Sequence, residues 1–238
     1  MKRVEVIGDA TLYMADCREV LPAIPRVGGI VFDPPYGMAY ESGYATDDLW
    51  GEGRRAIEGD EDTALRDWVC DLAKHSFDNA PLLAFGTWKR PRPADTKIVL
   101  VWDKGGALGM GDLSIPWKCD HEEIYVLGKG FIGRRDSGSV IRCPPVQSMA
   151  KNGRSHPNEK PVELMMRLCA KVPGLILDPC MGSGSTGVAA MKLGRKFIGC
   201  EVVPEYFEIA CERIAAAWGQ PRLFDDIPAS TAMEADSK

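Results

Sequence analysis

The chain has 238 residues, of which 45% are hydrophobic and 26% charged, and its formal net charge is −5. Its apolar runs stay well short of the ~18 residues of a membrane helix, and residues 1–6 lack the apolar stretch of a signal peptide, which argues against a membrane or secreted protein. Its eight cysteines are scattered, without a C-x-x-C pair. We therefore expect a cytoplasmic protein with one core, reduced thiols and no metal site.

Short apolar runs alternate along the chain with segments of helical spacing. The predicted strands are 11–14, 30–32, 82–85, 97–102, 123–127, 175–177 and 197–200. The predicted helices are 63–77, 161–171, a helix between the last two strands, and 204–218. This alternation predicts an α/β fold with a doubly wound, mostly parallel sheet. We assign residues 1–218 to one domain and residues 219–238 to a disordered tail.

The apolar run 29–32 leads directly into Asp33-Pro34-Pro35-Tyr36. In open α/β sheets, ligands bind at the edge where such strands end. Each proline fixes its own φ and has no amide hydrogen, so the Asp33 carboxylate and the Pro34 carbonyl form a stiff pair of acceptors beside an aromatic ring. That arrangement suits a planar amine. The alternative interpretation is a plain Pro-Pro turn with a surface aspartate.

The stretch from Asp178 to Glu201 has the form strand, Gly-rich turn, helix, strand, acidic residue. Gly182 and Gly184 allow a ligand to approach the backbone closely, and Glu201 could accept hydrogen bonds from both hydroxyls of a ribose. The hydroxyl residues expected to cap the helix are Ser183, Ser185 and Thr186. The spacing differs from G-x-G-x-x-G and from a P-loop, which favours a ribose-bearing ligand without a buried pyrophosphate, such as S-adenosylmethionine.

Taken together, these two motifs resemble those of the DNA amino-methyltransferases, which modify adenine N6 or cytosine N4. Here the acidic Pro-Pro-aromatic motif precedes the Gly-rich loop by about 145 residues, a permuted order similar to that of the β group of this family. Segments 16–21, 156–164 and 201–213 resemble it as well, so the resemblance covers most of residues 5–215. The family implies a Rossmann-like methyltransferase domain in which one edge strand runs antiparallel.

The resemblance implies a role for each of these residues. The target base would be flipped out of double-stranded DNA, its amine held by Asp33 and the Pro34 carbonyl, with Tyr36 stacked on its ring. Around S-adenosylmethionine, Asp16 and Cys17 would meet the adenine. Glu201 would bind the ribose and Lys160 the methionine carboxylate. The rest of the methionine part would be held by Asp178, Pro179, Gly182, Ser183, Gly184, Ser185 and Thr186.

Because the motif opens with Asp rather than Ser, the resemblance favours adenine N6 over cytosine N4. Cytosine N4 is the main alternative. A methyltransferase for RNA or for a glutamine side chain is less favoured, since its motif order is normally unpermuted. A non-catalytic nucleic-acid binding protein is disfavoured by the intact tetrapeptide and loop glycines. A homodimer and a cognate restriction enzyme are compatible with the family, but no sequence feature indicates either.

Charge is unevenly distributed along the chain. Residues 128–160 contain seven basic and two acidic residues in a Gly-, Ser- and Pro-rich context, which predicts a loop or hairpin that contacts DNA. Residues 41–62 contain eight acidic and two basic residues and are predicted to form a mobile flap over the site. We assign three tryptophans, Trp88, Trp102 and Trp117, to the core.

Overall fold

The protein is represented by a computed structural model, which describes residues 3–24, 26–38, 62–106, 114–146 and 159–220. The strands in these ranges are β1 (Arg3–Ile7), β2 (Ala10–Met14), β3 (Gly29–Phe32), β4 (Leu82–Gly86), β5 (Ile98–Asp103), β6 (His121–Leu127), β7 (Val140–Arg142), β8 (Ile176–Asp178) and β9 (Phe197–Glu201). They form one sheet in the order β1-β2-β9-β8-β3-β4-β6-β5-β7. The predicted α/β fold with a mostly parallel sheet is confirmed.

Strands β2, β9, β8, β3 and β4 run parallel to one another, and β1 lies antiparallel at one edge. A second antiparallel strand, β6, lies inside the sheet between β4 and β5. One antiparallel edge strand was expected; the sheet has this strand, β1, and in addition the internal antiparallel strand β6. Strands β1 and β7 were not predicted, because most of their residues are exposed at the sheet edges and lack the apolar runs of buried strands.

The helices cover both faces of the sheet. They are α1 (Cys17–Val20), α2 (Ala64–His75), α3 (Val162–Cys169), α4 (Ser185–Lys192) and α5 (Pro204–Trp218). Helices α3, α4 and α5 pack on one face, where Leu164, Ala189 and Phe207 are fully buried. Helices α1 and α2 pack on the other face, through residues such as Val20 and Val69. The result is a three-layer sandwich, as expected for strands with apolar residues on both faces.

The parallel strands all end at the same edge of the sheet, which we call the carboxyl edge. Asp33 follows β3, Asp178 ends β8, and Glu201 ends β9. Because β6 runs in the opposite direction, its first residues also lie at this edge, with Glu123 opposite Gly86 at the end of β4. The fold thus gathers acidic residues from distant parts of the sequence at one edge.

The basic segment 128–160 does not form one loop at this edge. Gly128 follows β6 at the opposite edge, where the Lys129 amide donates to Asn79 and the Ile132 amide donates to Lys171. The chain returns to the carboxyl edge along β7, which pairs in parallel with β5. Of residues 128–146, only those from Arg142 onward therefore come back to the edge that carries Asp33, and residues 147–158 lie outside the described residues.

Two of the tryptophan assignments are wrong. Trp102 is buried as expected, but Trp88 is 61% exposed and Trp117 is 76% exposed. Both follow or precede strands at the carboxyl edge rather than lying within them, which explains why they stay outside the core. All eight cysteines are free thiols, four of them buried and Cys119 exposed.

Several predictions fall outside the described residues: most of the acidic flap 41–62, the segment 156–158, and the tail from residue 221 onward. None of the helices in the described ranges is long and apolar enough to cross a membrane.

Candidate active site

Asp33 is part of a compact group of charged and polar side chains, which we call the catalytic cluster: Asp33, Tyr36, Lys104, Glu122 and Lys160. Lys160 Nζ lies 2.5 Å from Asp33 Oδ2 and 3.3 Å from Glu122 Oε2. The Tyr36 hydroxyl lies 2.7 Å from Asp33 Oδ1 and 3.1 Å from Glu122 Oε2. Two carboxylates are therefore joined twice, once through an ammonium group and once through a phenol.

Lys104 completes this cluster from the end of β5. Its Nζ lies 2.5 Å from Glu122 Oε1, and both side chains are largely buried. The two lysines and the two carboxylates balance each other in charge, which such a buried group requires. The ammonium group of Lys160 also lies near the rings of Phe85 and Trp102, so apolar surroundings exclude water from this side.

The environments of the two carboxylates differ. Burial raises the pKa of Asp33 above its ordinary value, and the nearby Glu122 adds to this rise while Lys160 opposes it. Burial acts on Glu122 in the same direction, but Lys160 and Lys104 together hold the pKa of that carboxyl below its usual range. The pKa values of the two neighbouring carboxyl groups are therefore shifted in opposite directions.

The Gly-rich loop, residues 178–186, lies at the ends of β8 and β9; we call it the cofactor loop. The Asp178 carboxylate accepts hydrogen bonds from the Thr186 hydroxyl at 2.5 Å and from the Cys180 amide at 3.0 Å. Burial raises the pKa of Asp178 to about 7, with these hydrogen bonds acting in the opposite direction. The predicted capping role of Thr186 is wrong, because its hydroxyl holds Asp178 instead.

The helix after this loop begins without any side-chain cap. Its N-cap residue is Gly184, with φ of +82°, and neither Ser183 nor Ser185 caps it. A Cβ atom at Gly184 would lie 2.9 Å from the Cβ of Ala210 in α5. Glycine is therefore required here both for the left-handed conformation and for the close packing of α5. The buried Ser185 Oγ has no hydrogen-bond partner within the described chain.

Glu201 fixes the loop from the neighbouring strand. Its Oε2 accepts a hydrogen bond from the Gly182 amide at 2.9 Å, and its Oε1 accepts from the amides of Val202 and Val203. Both oxygens of the Glu201 carboxylate are thus engaged in fixing the backbone at the ends of β8 and β9.

Asp16 and Cys17 lie beside Glu201, because β2 and β9 are paired and the Ala15 amide donates to the Glu201 carbonyl. Asp16 caps α1 by accepting from the Arg18 amide, and the Arg18 guanidinium holds the pKa of Asp16 below its ordinary value. A hydrogen bond with Cys17, together with burial, raises the pKa of the Cys180 thiol. The structure thus brings Asp16, Cys17 and the cofactor loop together.

Lys160 is the predicted cofactor residue whose surroundings differ most from the expectation. Its ammonium group lies between Asp33 and Glu122, in the catalytic cluster. Contact with a methionine carboxylate stays a prediction. Among the residues that sequence reasoning missed, Glu122 and Lys104 are the most important. A charged residue next to the apolar run 124–127 of a buried strand was the available signal, since such a residue needs a partner.

Arg213, in α5, connects the two halves of the site. Its Nη1 donates to both the carbonyl and the hydroxyl oxygen of Ser183 at 2.7 Å, and its Nη2 donates to Glu159 Oε1 at 2.6 Å. Glu159 directly precedes Lys160 in the chain. One guanidinium therefore links the cofactor loop to the segment that carries the catalytic-cluster lysine.

A doubly wound sheet with an acidic Pro-Pro-aromatic turn and a Gly-rich loop at one edge defines a Rossmann-like methyltransferase. The model of the N6/N4 methyltransferase family, described as DNA methylase, matches residues 41–212. The chain belongs to this family of DNA amino-methyltransferases, whose cofactor is S-adenosylmethionine.

Two relatives and one solved structure support the assignment to this family. The chain is 30% identical to "Putative methylase YubD" of Escherichia coli over 84% of this chain and 88% of that protein. It is 47% identical to the type II methyltransferase M2.DpnII of Streptococcus pneumoniae over 55% of this chain and 50% of that protein, and so spans about half of its length. The solved structure of the M1.HpyAVI–SAM complex is similar in fold, with a TM-score of 0.60, 22% identity, and coverage of 86% of this chain and 99% of that one.

Proposed function

We propose that this DNA methyltransferase acts on adenine N6 in double-stranded DNA, and that Asp33 receives the amine. The observation that carries the proposal is the position of the Asp33 carboxylate at the end of β3, beside Pro34 and Tyr36, where its side chain stays 24% exposed. The choice of adenine rests on the aspartate that opens the motif. Cytosine N4 is the second candidate, because the same two acceptors suit either amine.

The residues at the cofactor loop fit S-adenosylmethionine. Glu201 lies at the end of β9 with its carboxylate against the Gly182 amide, where a ribose would lie, and the buried Ser185 hydroxyl, without a hydrogen-bond partner among the described residues, offers a donor for the methionine part. Asp178 is a buried carboxylate that accepts a hydrogen bond from the Cys180 amide of the loop at 3.0 Å. In this proposal Asp16 and Cys17 meet the adenine, while Pro179, Gly182, Ser183, Gly184 and Thr186 shape the loop around the methionine part.

When bound, S-adenosylmethionine supplies an electrophilic methyl group. The chain's own residues prepare the attacking amine, whose lone pair is delocalised into the base. The Asp33 carboxylate and the Pro34 carbonyl accept the two amine hydrogens and so favour a pyramidal nitrogen with an exposed lone pair. After transfer, Asp33 takes the excess proton from nitrogen, which its raised pKa favours. Holding the amine in the attacking orientation contributes most of the rate.

The carboxyl edge also carries groups suited to DNA. The exposed Trp88 follows β4, and the ammonium group of Lys89 lies 5.7 Å from the centre of its ring. Arg90 donates to the carbonyl oxygen of Gly37, directly after the catalytic motif. An exposed aromatic ring next to basic side chains is typical of surfaces that contact nucleic acid. We place the DNA on this edge, and not along residues 128–136, which lie at the opposite one.

The decisive experiment incubates the purified protein with isotopically labelled S-adenosylmethionine and unmethylated duplex DNA, followed by nucleoside mass spectrometry. We expect labelled N6-methyladenine, and single-molecule sequencing should confine it to one short motif. If the labelled product is N4-methylcytosine, the target base is cytosine and not adenine, and the proposed role of Asp33 is unchanged.

Unlabelled DNA in the presence of cofactor binding would contradict the proposal, and RNA and protein substrates would then be tested with the same label. A homodimer, a cognate restriction enzyme and a cytoplasmic location stay predictions. Sedimentation of the purified protein would measure its oligomeric state directly.

A further inference from the structure

The second carboxylate of the catalytic cluster has no role in the steps described so far. Glu122 lies on β6, far in sequence from both motifs, yet it touches the two groups that hold Asp33. It accepts from the Tyr36 hydroxyl at 3.1 Å and lies 3.3 Å from Lys160 Nζ. Because Lys160 and Tyr36 contact both carboxylates, Glu122 can influence Asp33 through these two side chains.

We propose that Glu122 is a positioning residue for methyl transfer, which acts through Lys160 and Tyr36 to fix the orientation and the charge of Asp33. This inference rests on the proposed role of Asp33. It extends that role by naming the groups that keep the Asp33 carboxylate turned towards the amine.

The orienting effect follows from hydrogen-bond geometry. The Tyr36 hydroxyl oxygen lies 2.7 Å from Asp33 Oδ1 and 3.1 Å from Glu122 Oε2, so its single hydrogen is shared between the two carboxylates. Lys160 holds the other Asp33 oxygen at 2.5 Å. With both oxygens restrained by partners that Glu122 itself anchors, the carboxylate has little freedom to rotate away from an incoming amine.

The charge effect follows from the composition of the cluster. The charged and titratable groups that face Asp33 are Lys160 before α3, Glu122 on β6, Tyr36 in its own turn, Lys104 after β5 through Glu122, and Asp178 on β8. Without the Glu122 charge, the Lys160 ammonium group would face Asp33 as its main neighbouring charge, and Lys104 would lose its carboxylate partner. The positive surroundings would then favour the ionised carboxylate and make it a weaker proton acceptor.

The next residue on the same strand provides a matched control. Glu123 is also buried, but successive side chains of a strand point to opposite faces, and Glu123 pairs with the Tyr125 hydroxyl and with Arg92 instead. The change Glu123→Gln therefore removes one buried carboxylate charge from β6 without touching the catalytic cluster.

The test measures single-turnover methylation between pH 5 and pH 9, with saturating DNA and S-adenosylmethionine. Methylation requires ionised Asp33, so the rate rises with pH through the pKa of that group. We expect Glu122→Gln to move the midpoint of this rise to lower pH by about one unit and to lower the plateau rate about tenfold. Glu123→Gln should leave the midpoint in place.

Two further variants separate the possible failures. Glu122→Asp keeps the charge, so its midpoint should stay close to that of the wild type even if its rate falls. An unmoved midpoint in a folded Glu122→Gln protein would overturn the inference and leave Glu122 with a structural role only. If Asp33→Ala retains substantial methylation, the proposed function of Asp33 fails first, whatever the behaviour of Glu122.

Discussion

The catalytic cluster and the cofactor loop both bury carboxylates, but they stabilise them by different means. In the catalytic cluster, Asp33 and Glu122 face two lysine ammonium groups contributed by other elements. In the cofactor loop, Asp178 and Glu201 accept hydrogen bonds mainly from backbone amides and one hydroxyl. The first arrangement depends on charge, and the second depends on the course of the backbone.

This difference has a functional meaning. A group that must take up a proton is best held by charges that tune its pKa, as proposed for Asp33. A group that must only accept hydrogen bonds from a ligand can be held by fixed amides, as proposed for Glu201. Changes in the two regions should therefore affect different steps: methyl transfer for the catalytic cluster, and cofactor binding or loop stability for the cofactor loop.

The largest expected effect comes from Asp33→Ala. Removal of the carboxylate should lower the rate of methyl transfer by about 10³-fold or more, since the variant loses both an amine acceptor and the proton acceptor. The dissociation constant for S-adenosylmethionine should change less than about threefold. Quench-flow methylation and calorimetric titration measure the two quantities. Substantial methylation by the variant would remove Asp33 from the catalytic role.

The second effect concerns the pH dependence of stability. Because burial raises the pKa of Asp178 from 3.8 to about 7, the folded protein binds this proton more tightly than the unfolded chain. This group therefore makes the free energy of unfolding fall as pH rises from about 4 to about 7, by at most about 4 kcal/mol. Asp178→Asn removes this contribution.

We expect the Asp178→Asn variant to gain stability relative to the wild type between pH 5 and pH 8, as measured by urea unfolding at both values. If the variant and the wild type differ in free energy of unfolding by the same amount at both pH values, Asp178 does not change its ionisation in this range. Additional hydrogen bonds or a bound cation would then compensate for its burial.

The third and smallest effect is expected from Glu201→Ala, which removes the acceptor of three backbone amides as well as the proposed ribose contact. Loss of hydrogen bonds to a charged group costs about 2–3 kcal/mol, so cofactor affinity should fall about 30- to 160-fold. The transfer rate at saturating cofactor should change much less. Glu212→Ala, on the exposed side of α5, serves as the control, and an unchanged dissociation constant for Glu201→Ala would exclude it from the ribose site.

The two regions also differ in how far the sequence predicted them. The cofactor loop could be recognised because its parts are local: Asp178, the two glycines and Glu201 lie within one strand–turn–helix–strand unit. The catalytic turn was recognisable for the same reason. What local patterns predicted less well was hydrogen bonding, since Thr186 holds Asp178 and does not cap the helix.

The other charged members of the catalytic cluster could not be found in this way. Glu122 and Lys104 lie in it only because β6 runs antiparallel between β4 and β5, and sequence periodicity does not specify the order of strands in a sheet. The exposed Trp88 and the path of residues 128–142 depend on the same topology. Local motifs therefore located the catalytic turn and the cofactor loop, and the long-range pairing of strands determined which charges surround them.

The pairing of β2 with β9 sets the order in which the molecule can be completed during synthesis. Ala10 lies beside Phe197, and Met14 lies beside Glu201, so the hairpin of β1 and β2 waits for nearly the whole chain. At about 5–20 residues per second on a ribosome, this delay is on the order of ten to forty seconds. During that time Ala10 and Leu12, both fully buried in the finished sheet, lack their neighbouring strand. The nascent chain can thus pair β3, β4, β5 and β6 first, and the part of the sheet formed by β8, β9, β2 and β1 is completed last.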